Sequence, residues 1–108
     1  MAGEIELTDA NFEQQILKHK GVAVVDFFAT WCGPCKAFGP TFKEFAAEAP
    51  AGVVAAKADV DQCPQAAASQ GVMSVPTIAF FKNGEVVEKL VGAQRKAALL
   101  DKVKALLG

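Results

Sequence analysis

Seven consecutive residues, Val22-Ala23-Val24-Val25-Asp26-Phe27-Phe28, are apolar apart from a single carboxylate. Nothing in the run alternates between a wet and a dry face. It therefore suits a central β-strand covered on both sides by helices. Asp26 is the cost of that placement, because a buried carboxylate loses hydration unless it is paired or protonated. Burial raises its affinity for a proton, towards the range useful in acid–base chemistry. A helical pattern follows, with apolar groups at Cys35, Phe38, Phe42, Phe45, Ala46 and Ala49, the three-and-four spacing of one buried face. Lys36, Lys43, Glu44 and Glu48 fall on the wet side. Pro40 predicts a kink inside this helix, and Pro50 and Gly52 stop it.

Between strand and helix stands Trp31-Cys32-Gly33-Pro34-Cys35. Two cysteines with two residues between them can close a small disulfide ring or lie open as a dithiol. The pair is placed where unpaired backbone N–H groups and the helix dipole favour negative charge. A thiol there ionises more easily, and the thiolate is the nucleophile. Cys32, nearest the helix start, is the expected attacking sulfur, with Trp31 marking an exposed rim. Cys35, one helical turn further in, can resolve the mixed disulfide that results. Pro34 suits the first helical turn, where its missing N–H has no partner. A static disulfide and half of a zinc site are the structural alternatives. Zinc needs about four ligands, and only Cys63 and His19 are left to offer. His19 is expected to be a solvated residue on a helix's last turn, and Cys63 a bystander thiol.

The remaining chain supplies partners for this core. Glu4 to Leu7 alternates like a short edge strand, and Thr8 and Asp9 supply an N-cap and a first-turn acid for a helix carrying Phe12 and Ile16 and ending at Gly21. Gly52 to Ala58 reads as a third strand, and Asp59 to Gln70 as an irregular or short helical connection. Val75 to Phe81 reads as a fourth strand, entered through Pro76. Asn83-Gly84 signals a tight hairpin into a fifth, Glu85 to Val91. Gln94 to Leu107 closes the chain as a helix burying Leu99, Val103, Leu106 and Leu107. The order predicts an α/β fold: a mixed five-stranded sheet flanked on both faces by about four helices, with the hairpin strands at its edge.

A length of 108 residues accommodates one compact domain, 1–108, and not two. No apolar run approaches a membrane span, and the acidic start, Met1 to Glu6, has no apolar targeting core. A cytoplasmic address without membrane attachment is expected. A net charge of −1 with both signs scattered argues against a nucleic-acid surface. Three cysteines, an odd count, do not make the disulfide framework of a small secreted domain.

The run Val25 to Lys36, with Val75-Pro76-Thr77, Phe81-Lys82-Asn83-Gly84 and Val91-Gly92 at matching spacing, resembles the thioredoxin family from about Ile5 to the C-terminus. That resemblance implies a monomeric thiol–disulfide oxidoreductase without a cofactor or metal of its own. It would reduce protein disulfides and be recharged by a flavin- or ferredoxin-dependent thioredoxin reductase. It also implies that Asp26 shuttles the proton of Cys35, that Lys57 tunes the charge of this acid, and that Pro76 follows a cis bond facing the motif. Trp31, Gly33, Pro34, Val75, Pro76, Val91, Gly92 and Ala93 would then form a shallow docking patch for an extended substrate segment. Phe28 departs from the family pattern, in which tryptophan is frequent, and leaves Trp31 as the sole tryptophan. The rival readings are a non-catalytic binding module on the same fold, an exported oxidase or isomerase, and a metal carrier through Cys32 and Cys35.

Overall fold

The computed structural model describes residues 3–108; Met1 and Ala2, the start of the segment read for targeting signals, lie outside the described residues. The central strand is β2, Val22–Phe28, buried along its length until Phe28. Around it a five-stranded sheet has the order β1-β3-β2-β4-β5, with β1 at Ile5–Glu6, β3 at Val54–Asp59, β4 at Thr77–Lys82 and β5 at Glu85–Val91. β1 and β2 both run parallel to β3, whereas β4 is antiparallel to β2 and to β5. Of the two hairpin strands, only β5 is thus at an edge; the other edge of the sheet is β1. β4 is interior, because its Thr77–Lys82 backbone pairs with β2 on one side and with β5 on the other.

Both faces of β2 are dry, and alternate residues serve different cores. Ala23, Val25 and Phe27 meet Phe12, Ile16, Cys63 and Ala66 on one face. Val22 and Val24 meet Phe38, Phe42, Phe45, Leu99 and Val103 on the other. The second face is covered by α1, Gly33–Glu48, and α3, Lys96–Leu107. α1 runs through Pro40 without a break and buries Cys35, Phe38, Phe42, Phe45 and Ala46 of the expected stripe, while Ala49 caps the helix's end and is only partly buried. α3 buries Leu99 and Val103, and Leu106 packs against the same core, but Leu107 is 47% exposed, because one step along a helix turns the side chain about 100° away from that face.

The first face is covered by the short helix α2, Pro64–Ser69, and by a π-helical turn, Glu13–Leu17, in place of the longer regular helix expected after Thr8. Thr8 does cap this segment: its Oγ1 accepts from the Asn11 N–H at 3.1 Å while Asn11 Oδ1 accepts from the Thr8 N–H at 2.7 Å. Asp9 does something else. Its two carboxylate oxygens accept from the backbone N–H groups of Gln65 and Ala66, at 3.3 and 2.9 Å, and so cap α2 from across the fold. The Asn83-Gly84 turn has φ of 53° and 84°, the pair of positive angles that a tight hairpin between twisted strands requires. Asn83 also locks onto Gly21, donating its N–H to that carbonyl and accepting the Gly21 N–H on Oδ1, both at 2.8 Å.

Candidate active site

β2 ends at Phe28, and the chain turns so that the Cys32 N–H donates to the Ala29 carbonyl at 3.2 Å. Cys32 is the N-cap of α1, in extended conformation, with Pro34 in the first turn. Its sulfur takes the role that a serine or aspartate oxygen has at other caps, accepting the Cys35 N–H at 3.2 Å. Cys32 and Cys35 are joined as a disulfide with Cα atoms 5.2 Å apart. The exposed rim belongs to Trp31, 69% exposed, and to Gly33 and Pro34; Cys32 itself is only 6% exposed, little more than Cys35. The cap geometry turns its sulfur back over the helix start, where it packs with Ala29 and Val75.

Facing the sulfurs is the Val75–Pro76 bond, which is cis. The Val75 carbonyl oxygen lies 3.7 Å from Cys32 Sγ. Gly92, at φ +99°, donates its N–H to the Pro76 carbonyl at 2.8 Å, which ties the end of β5 to this loop. Trp31 and Val75 share a groove of about 170 Å³. Val91 is 68% exposed, and Ala93 is also exposed, on either side of the Gly92 that bonds to Pro76. Two residues beside Trp31 have no signal in the sequence. Met73, in the loop before Pro76, is 95% exposed and borders the Trp31 groove. Asp61 accepts the Trp31 indole N–H on Oδ2 at 2.9 Å and so orients the ring.

Beneath the motif, Asp26 occupies the sheet face covered by α1 and is 4% exposed, with no hydrogen-bond partner for Oδ1 among the described residues. Its carboxyl is pushed up from the ordinary 3.8 to about 7, first by burial, then by the negative charge of Glu4, against the opposing cation of Lys57. Lys57 is its register partner on β3. Asp26 and Cys35 open into one cleft of about 620 Å³, bordered also by Phe28, Pro40, Glu4 and Lys57. A buried acid able to exchange a proton near neutrality thus shares a solvent-connected space with the inner cysteine. Glu4 is a further residue that sequence reasoning missed; it lies before the edge strand, and its Oε2 is 3.9 Å from Lys57 Nζ.

The two remaining candidate ligands sit elsewhere. Cys63 is fully buried at the start of α2, where its thiol donates to the Leu7 carbonyl at 3.1 Å. Burial, with the charges of Asp9, Asp59 and Glu6, pushes that thiol up. His19 is half-buried at the surface, where Nε2 donates to the Gly52 carbonyl at 3.1 Å. Among the described residues no three His, Cys, Asp or Glu side chains converge as metal ligands. No helix there is long and apolar enough to cross a membrane.

A family model described as thioredoxin matches residues 3–105. A thioredoxin of Mycobacterium tuberculosis is 46% identical over 96 residues, which cover 89% of this chain and 83% of that protein. A bifunctional thioredoxin reductase/thioredoxin of Mycobacterium leprae is also 46% identical over 96 residues, 89% of this chain but 21% of that longer protein. Among solved structures, a mutant thioredoxin of Halobacterium salinarum superposes with a TM-score of 0.87 at 31% identity, covering 98% of this chain and 92% of that one.

Proposed function

The chain belongs to the thioredoxin family and is a thiol–disulfide oxidoreductase; from that premise we propose that it reduces protein disulfides, with Cys32 attacking, Cys35 resolving and Asp26 moving the proton. The observation that carries this reading is the cleft in which Asp26 and Cys35 meet, beneath a Cys32 sulfur that receives a helix N–H. In the dithiol form that N–H and the helix start stabilise Cys32 as a thiolate. The thiolate attacks one sulfur of a substrate disulfide; a Cys32–substrate bond forms, the substrate S–S bond breaks, and the other substrate sulfur leaves as a thiolate. The Asp26 carboxylate then takes the proton of Cys35. The Cys35 thiolate attacks Cys32 Sγ, the Cys32–Cys35 bond forms and the second substrate thiolate departs. The substrate has gained two electrons and the protein dithiol has lost them. Asp26 returns its proton to the departing sulfur or to water.

In this reading Lys57 tunes the charge of Asp26. The surface of Trp31, Gly33, Pro34, Val75, Pro76, Val91, Gly92 and Ala93 holds an extended segment of the substrate. Reduction of the disulfide falls to a flavin- or ferredoxin-dependent thioredoxin reductase, a reading supported by the relative whose name joins a reductase to a thioredoxin. A donor of electrons has to be kept reduced, which fits a monomeric, single-domain protein of the cytoplasm serving electron transport and redox homeostasis. A Cys35→Ser variant tests the assignment. It should accumulate mixed disulfides through Cys32 when mixed with disulfide-bonded proteins, and the recovery of no adducts overturns it.

A further inference from the structure

Two acids and a lysine border the proton-transfer cleft: Asp26 on β2, Lys57 on β3 and Glu4 just ahead of β1. In the order β1-β3-β2, Lys57 on β3 is the register partner of Asp26 on β2 and of Glu6 on β1, and Glu4 lies just ahead of β1. The Lys57 ammonium thus has two carboxylates within its range, Asp26 and Glu4, all three bordering the cleft. Its ion pair is with Glu4, at 3.9 Å, while Asp26 Oδ1 has no hydrogen-bond partner among the described residues. The Glu4 side chain is only 16% exposed, so its charge is weakly screened by salt. The separation from Lys57 is too long for a hydrogen bond, so the cation is held by charge alone.

We propose that Glu4 is a positioning residue for the proton-transfer step: by pairing with the Lys57 ammonium it withholds that cation from Asp26, and so sets how readily Asp26 takes and returns the proton of Cys35. This rests on Asp26 being the proton carrier. Two effects of Glu4 act in one direction. Its negative charge opposes ionisation of Asp26 directly, and its hold on Lys57 removes the charge that would favour ionisation. The other cations bordering the cleft, Lys36 and Lys43 on α1, are exposed to water and strongly screened. Without Glu4, Asp26 ionises more completely at neutral pH but becomes a weaker base towards a thiol, a poorer match for the transfer.

The test is an NMR titration of the Asp26 carboxyl carbon in the wild type, Glu4→Gln, Glu4→Asp, Lys57→Met and the double variant Glu4→Gln/Lys57→Met. Glu4→Gln should lower the midpoint by roughly half a pH unit or more, and the acidic limb of disulfide reduction should move with it. Glu4→Asp, which keeps the charge, should stay closer to wild type. In the Lys57→Met background the Glu4→Gln step should shrink, since only direct repulsion is left. An unmoved midpoint in Glu4→Gln overturns this inference while leaving Asp26 as the carrier. A wild-type midpoint in the ordinary carboxylate range instead overturns the underlying assignment of Asp26.

Discussion

Replacing Asp26 by Asn should make the protein more stable at neutral and alkaline pH, and by a large amount. The folded carboxyl is pushed from the ordinary 3.8 to about 7. Between those values the native state holds a proton that the unfolded chain has released. Stability contributed by the protonated group is therefore complete below the lower value and falls as pH rises towards the upper one. Three units at about 1.4 kcal/mol each amount to about 4 kcal/mol of destabilisation once Asp26 is charged. Asn is close in shape to the neutral acid and cannot ionise, so its variant escapes this loss. The expected gain is about 1 kcal/mol at pH 4.5 and about 4 kcal/mol at pH 8. Urea unfolding of the two oxidised proteins at those two pH values measures it as a shift of midpoint at constant slope. A stability difference that is the same at both pH values would refute the reasoning, because only ionisation of a buried group produces the pH dependence. A group this costly does not serve folding, which fits the proton-carrying role proposed for it. The same variant should accordingly release substrate more slowly from the mixed disulfide.

Asp9→Ala strips the acceptors from two N–H groups of α2 and should lower unfolding stability by about 1–2 kcal/mol; an unchanged urea midpoint would count against the cap. Gly84→Ala forces a side chain onto a backbone at φ +84° and drives its Cβ into the Leu17 carbonyl, so a loss above about 1 kcal/mol is expected. Gly92→Ala, with φ +99° but no atom within 4 Å of an added Cβ, should cost less in the same assay, and equal losses would refute the steric part. Trp31, the sole tryptophan, is held by Asp61 next to the motif. Its emission should change between dithiol and disulfide forms, and identical spectra would contradict that position.

The features legible in the sequence are those whose cause lies within a few residues. The apolar run around Asp26 announces a strand covered on both faces. The spacing of Phe38, Phe42 and Phe45 announces the buried stripe of α1, and Asn83-Gly84 announces its turn. The two sulfurs and the strand–helix junction that presents them are local in the same sense. What stayed hidden depends on residues that meet only after folding. Asp9 caps a helix more than 50 residues away, and Glu4, ahead of β1, reaches Lys57 on the adjacent strand β3, also more than 50 residues on. The interior place of β4 is a matter of strand order, which periodicity does not encode. Met73 and Asp61 are ordinary loop residues until the fold brings them beside Trp31. The burial of the Cys32 sulfur follows from cap geometry that the exposed Trp31 gives no hint of.

The central claim is a division of labour between two sulfurs only three positions apart. The most direct test is the rate of iodoacetamide alkylation of the reduced protein as a function of pH, with the modified residue identified by peptide mass. Cys32 should react first and alone, with a midpoint clearly below the ordinary thiol value of about 8.5. First reaction at Cys35 or Cys63, or a Cys32 that titrates like a free cysteine, would contradict the account.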